Sequence, residues 1–124
     1  MLFSESLKRR IDFSTVYQTG CSLANRYLVM YIRKNGLDQN RLGISVSKKV
    51  GNSVKRHRLM RLVRESYRLH EQEFNIGYDI VVVLRVHAAS ESYQKIESAL
   101  LQLAKNHQIL RQQSQNYSDI KTLI

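Results

Sequence analysis

Hydrophobic and polar positions alternate along this chain in two periods, and each period marks an element. Phe13, Val16 and Tyr17 recur at i, i+3 and i+4, which predicts a helix from Ser6 to Thr19. Gly20 closes it at the position after a helix end that glycine favours. Residues 1–6 read as an irregular lead-in. Tyr27 to Ile32 reads as a strand, with Tyr27, Val29 and Tyr31 on one face and Leu28, Met30 and Ile32 on the other. Leu42 to Ser47 reads as the next strand, with Leu42, Ile44 and Val46 inward. Its outward residues are small, which leaves room for a ligand. The polar run from Lys34-Asn35-Gly36 to Asn40 has the composition of a hairpin turn.

The longest periodic stretch follows. Gly51-Asn52-Ser53 breaks the preceding run, and Asn or Ser there serves as an N-cap. On a helical wheel, Leu59, Leu62, Val63, Tyr67 and Leu69 fall on one arc of roughly 160°. His57, Arg58, Arg61, Arg64 and Arg68 fall on a second arc, roughly 120° wide, on the other side. One face therefore packs on a core and the other presents cations. Lys55 and Arg56 stand in the first turn, where cations oppose the helix dipole by a few tenths of a kcal/mol each. That placement is poor for stability alone. It fits an arriving polyanion that also uses the free N–H groups at the helix start.

Tyr78 to Val86 is nearly continuous in β-branched residues, the mark of a central strand covered on both faces. Tyr93 to about Leu110 reads as a helix with Ile96, Leu100, Leu103, Ala104 and His107 on one face. Residues 111–124 are polar and Gln-rich and are expected to fray. The order is helix, two or three strands, helix, strand, helix, an α+β sandwich. It forms a single domain over residues 1–124, with its core at about 6–110.

Charge sharpens this picture. The formal net charge is +10, and it is uneven. Residues 1–70 carry 15 Lys and Arg against 4 Asp and Glu; residues 71–124 carry 5 against 6. The partner surface therefore lies in the first part of the chain, and its field favours phosphate backbones in a salt-dependent way. Glu65 is the only acid among the cations from Lys48 to Arg68. The basic arc thus reads as a nucleic-acid face rather than a solvated one.

Candidate chemistry is sparse. A lone cysteine, Cys21, excludes an internal disulfide and a Cys-based metal site, and fits a reducing, cytoplasmic setting. The four histidines show no ligand spacing. Gly43, Gly51 and Gly77 are isolated, so there is no phosphate-binding loop. The aspartates form no pair for two-metal nuclease chemistry. The N-terminus lacks the apolar region of a signal peptide, and no run reaches membrane-spanning length. No catalytic residue and no protein-bound metal is expected. Phe13 and Tyr17 read either as core residues or as partly exposed rings that stack on bases.

These residues resemble a known family. The run from Arg41 to Glu65, RLGISVSKKVGNSVKRHRLMRLVRE, is similar to the signature of the bacterial ribonuclease P protein component. Leu7 to Gly20 and Ala24-Asn25-Arg26 resemble its first helix and the turn after it, and Tyr78 to Val81 with the following helix resembles its end. The likeness covers roughly residues 6–110.

The resemblance implies a two-layer sandwich of order αβββαβα with a left-handed βαβ crossover around the basic helix. It implies catalysis by an RNA subunit with bound Mg²⁺, the protein assisting removal of the 5′ leader from precursor tRNA. It assigns Phe13, Tyr17, Val29 and Tyr31 to a cleft for the single-stranded leader. It matches Lys48, Lys49, Arg56, Arg58, Arg61 and Arg64 to contact with the catalytic RNA, and the helix pattern adds Lys55, His57 and Arg68 to that RNA-binding face. With it, partial exposure of Phe13 and Tyr17 becomes the expectation. Two positions depart from the family pattern: His57 stands where the family has Asn, and Met60 where it has a basic residue. The alternatives are a general RNA-binding protein, a DNA reader using Leu59–His70, and a protein-only nuclease. The DNA reader lacks a second short helix before a tight turn.

Overall fold

The structure is a computed structural model that describes residues 3–111. The tail expected to fray therefore lies outside the described residues, apart from Arg111. The elements in chain order are β1 (Ser4–Ser6), α1 (Arg10–Thr19), β2 (Cys21–Ala24), β3 (Leu28–Lys34), β4 (Asn40–Val46), α2 (Ser53–His70), β5 (Tyr78–Leu84) and α3 (Tyr93–Asn106). Short 3₁₀ turns at Lys48–Val50, Glu71–Glu73 and Val86–Ala88 join them. The strands form one sheet in the order β1-β4-β5-β3-β2.

β5 lies at the centre because its run of Ile80-Val81-Val82 is buried on both faces. β3 pairs with it antiparallel and β4 parallel. The turn from Lys34 to Asn40 is therefore not a hairpin. It steps across the start of β5, and Asn35 ties it there: its N–H donates to the Gly77 carbonyl and its side-chain amide to Asp79. β5 offers both neighbours the buried aliphatic run Ile80, Val81, Val82 and Leu84. β4 and β5, with α2 between them, make the expected parallel crossover.

α2 and α3 cover one face of the sheet. Leu28, Met30, Leu42, Ile80, Val82 and Leu84 meet Leu59, Val63, Tyr67, Ile96, Leu100 and Leu103 there. Each such side chain, fully buried, contributes about 1.5–3 kcal/mol. Asn52 caps α2, its side-chain oxygen accepting the Lys55 N–H at 3.0 Å. The buried arc of α2 is narrower than the wheel indicates. Ser66 is buried, its hydroxyl donating to the Leu62 carbonyl, while Leu69 is 55% exposed. Leu69 stands at the edge of that arc beside Leu62, which is itself only half-buried, so it is left to solvent although Tyr67 in the same turn is fully buried.

Two ends differ from expectation. The first helix begins at Arg10, because Ser4–Ser6 extends to pair with β4 and the Leu7 N–H donates to the Leu42 carbonyl. α3 ends at Asn106, and Gln108 adopts φ 61°, which breaks the helix. His107, half-buried, then meets the Met30 carbonyl at 2.9 Å, and Leu110 bridges to Phe74.

Candidate nucleic-acid interface

α1 crosses the face of the sheet opposite α2 and α3. The strand period puts Arg33, Tyr31 and Val29 of β3 on that face. The register places them in rows across the sheet: Arg33–Asp79–Arg41, Tyr31–Val81–Gly43 and Val29–Val83–Ser45. Phe13 sits over Gly43. A Cβ there would lie 2.7 Å from the ring, so glycine is what lets α1 approach β4. The room that small outward residues were expected to leave for a ligand is thus taken by Phe13 at Gly43 and remains at Ser45.

Tyr17, one turn on, meets Tyr31 edge to face with ring centroids 4.9 Å apart. Tyr17 is 38% exposed, and Phe13, Val29 and Tyr31 are half-buried. The four predicted cleft residues therefore share one surface: Tyr17 and Phe13 form its wall and Tyr31 and Val29 its floor. Val83 and Ser45 extend that floor; Ser45 is one of the small outward residues expected to leave room, whereas Val83 was missed from sequence. Alternation marked the outward face of each strand, but only the register shows which residues share a row.

The basic residues divide into held and free groups. Lys48 and Lys49 are exposed in the turn after β4, and Lys55, His57, Arg61 and Arg64 are exposed on α2. None of these six forms an ion pair or side-chain hydrogen bond among the described residues. Arg58 donates to the Glu91 carbonyl at 2.8 Å, and Arg68 pairs with Glu65. Arg56 departs from the expected placement. It is half-buried at the edge of the core, and its Nε is enclosed without a partner. The wheel explains this, since Arg56 lies nearer Val63 and Tyr67 than the outward arc.

Cations at the other end of the sheet face are neutralised. Asp79, 1% exposed, accepts both Arg41 Nε and Nη2 at 2.7 Å and the Asn35 amide at 3.0 Å, with Arg33 at 3.7 Å. Burial pushes this carboxyl up, but the bonds and charges of Arg41, Asn35 and Arg33 outweigh it and hold it below the usual range. Arg9 pairs with Asp12 nearby.

His70 ends α2 between two carboxylates, its Nδ1 against Glu73 and its Nε2 3.0 Å from Glu97, which also accepts the Tyr93 hydroxyl. Two carboxylates facing both ring nitrogens call for two N–H donors, which only the imidazolium has. Partial burial works against that charge, but Glu97 and Glu73 together raise its pKa above the ordinary value. A raised folded-state pKa stabilises fully below the unfolded value, about 6.5. The contribution is lost as pH rises through the folded value. The Tm deficit of His70→Gln against wild type should therefore be largest near pH 6 and shrink toward pH 9; a gap constant with pH would exclude this clamp.

No group of His, Cys, Asp and Glu among the described residues is arranged to hold a metal ion, and no described helix is long and apolar enough to cross a membrane. What the geometry offers is an aromatic and aliphatic surface beside unpaired cations.

The comparisons agree with that chemistry. A protein-family model described as Ribonuclease P matches residues 1–108. The ribonuclease P protein component of Lachnoclostridium phytofermentans is 59% identical over 107 residues, covering 86% of this chain and 92% of its own. That of Alkaliphilus metalliredigens is 46% identical over 110 residues, covering 89% and 99%. Among solved structures, the Staphylococcus aureus RNase P protein superposes with a TM-score of 0.80 at 36% identity, covering 86% of this chain and 97% of that one. The Thermotoga maritima RNase P protein gives 0.77 at 38% identity, covering 82% and 96%. With the family model spanning the domain and relatives aligned over nearly their full length, this chain belongs to the ribonuclease P protein family, the protein subunit of the bacterial ribonucleoprotein that processes tRNA 5′ ends.

Proposed function

We propose that this protein holds the single-stranded 5′ leader of precursor tRNA on the face between α1 and the sheet while α2 contacts the catalytic RNA. The observation that carries the reading is the Tyr17–Tyr31 contact above a half-buried floor, with unpaired cations at Lys48, Lys49 and along α2. Rings stack on bases without demanding a sequence, and cations follow the backbone. Arg61 and Arg64 point away from the core and neutralise phosphates of two RNAs that otherwise repel each other. Bond cleavage belongs to the RNA subunit and its Mg²⁺; the protein raises substrate occupancy and lowers the metal concentration required. The setting is the bacterial cytoplasm, where those RNAs are found.

The test is cleavage of a 5′-extended precursor tRNA at low magnesium, with a bacterial ribonuclease P RNA alone, this protein alone, or both. Cleavage at the mature 5′ end only with both present is the expected result. Cleavage by protein alone would overturn it in favour of a protein nuclease. Failure of folded protein to rescue a cognate RNA would leave a general RNA-binding protein.

A further inference from the structure

One end of the sheet carries an apolar hollow that the leader reading does not use. β1, β4 and β5 run parallel and all begin at this end, away from Lys48 and Lys49. Phe3, Asp38, Glu71, Phe74, Ile76 and Arg111 line a space of about 400 Å³ there, within the range of about 300–1,000 Å³ that binding pockets occupy. Phe3 and Ile76 are each 53% exposed, and Leu37, one residue before Asp38, is 47% exposed. Large apolar side chains left to water in one place mark a contact surface. A polyanion is the wrong occupant, because Asp38 and Glu71 stand there against Arg111 alone.

The chain itself is led to this hollow. Past α3, Ile109 is fully buried, and Phe74 bridges to Leu110. The Asn75 N–H donates to the Ile109 carbonyl and the Arg111 N–H to the Glu73 carbonyl. These bonds lay residues 109–111 antiparallel to residues 73–75 and deliver Arg111 to the lining. Residues 112–124, QQSQNYSDIKTLI, continue from that point and lie outside the described residues. They also lie beyond the family match, which stops at residue 108. Residues 112–116 are all polar, and the large apolar residues, Tyr117, Ile120, Leu123 and Ile124, come after them. From Arg111 to Tyr117 the chain spans at most about 20 Å. That tether reaches back over the hollow and holds the apolar group beside it at roughly millimolar effective concentration. Asp119 and Lys121 stand between the apolar positions, one of each sign. The lining likewise offers Arg111 and Asp38, both exposed and without an ion pair among the described residues.

We propose that this hollow is the seat of the chain's own segment Tyr117–Ile124, tethered by residues 112–116 and covering Phe3 and Ile76. The segment is an intramolecular cover for the apolar end of the sheet, on the side of the molecule that the RNA-facing cations leave free.

The chain has no tryptophan, so Leu123→Trp in the full chain is a unique fluorophore. Its emission should be shifted to the blue of the urea-unfolded chain, and acrylamide should quench it several times less efficiently. Both effects should hold at every protein concentration. Adding Ile76→Asp should return emission and quenching to the exposed values; Leu23→Asp on β2, at the other edge of the sheet, should not. Ile76 is half in water already, so its variant keeps the fold. Without the tryptophan, Ile76→Asp and Ile120→Asp should each lower the urea midpoint, and the pair should lower it less than the sum. An exposed indole in the full chain would overturn the proposal, as would a blue shift that survives Ile76→Asp. A shift that fades on dilution would overturn it in favour of a second copy, and one that needs the catalytic RNA would overturn it in favour of an RNA contact.

Discussion

Asp79→Ala should lower unfolding free energy by about 2–3 kcal/mol, read as a shift in the urea midpoint at pH 7. Breaking a fully buried ion pair costs about 3–5 kcal/mol, because the surviving charge is left without a partner. The lower figure applies here because Arg41 and Arg33 keep 24% and 36% of their side chains in contact with water. The loss is nonetheless large, since one carboxylate satisfies Arg41, Arg33 and the Asn35 amide together, and Asn35 holds the loop that steps over β5. The pH dependence has a definite sign. A depressed carboxylate pKa stabilises fully above the unfolded value, about 3.9, and the benefit disappears as pH falls through the folded value. The gap between wild type and Asp79→Ala should therefore narrow below pH 4. A gap that persisted in acid would mean that lost packing, not the ion pair, sets the cost.

Tyr17→Ala and Tyr31→Ala should each weaken precursor tRNA by about 1–3 kcal/mol, or roughly 5- to 150-fold, while mature tRNA is held as before. The two rings contact each other edge to face, so the double variant should lose less than the sum of the single ones. Tyr17→Phe keeps the ring and should retain most of the binding. Equal losses for precursor and mature tRNA would remove the rings from the leader site. Phe13 is a poorer probe, because its ring also fills the space over Gly43 and its removal would loosen α1.

The sequence was most legible where one residue's environment is set by its own element. The Asn52 cap, the outward cations of α2 and the burial of β5 all follow from spacing and residue type. The likeness of Arg41–Glu65 to a known signature added the leader and the catalytic RNA, which no periodicity contains. What sequence concealed depends on partners distant along the chain. Ser4–Ser6 is too short and polar to read as a strand, and becomes one because β4 offers an open edge. Val83 and Ser45 join the cleft only once the register is known. Arg56 and Leu69 differ from expectation because the buried strip of α2 is centred between Leu59 and Val63: Arg56 falls inside it, beside Val63 and Tyr67, and Leu69 falls at its edge. The Asp79 cluster needs β3, β4 and β5 side by side, an adjacency the hairpin reading of residues 34–40 concealed.

That same stepped connection has a consequence for the order in which the molecule is made. β2 and β3 close a local ribbon, and β1 lies along β4, but these two halves have no ladder between them until β5 arrives. As the chain leaves the ribosome, the sheet stays in two pieces until Leu84 has emerged, with the cation-rich helix already synthesised and its core side uncovered. Pairings of such sequence separation slow folding, because loop-closure entropy is spent before the contacts return it. Folding and cleft assembly are therefore one event: the rows that carry Tyr31 and Val29 come into being when the last strand enters between them and β4.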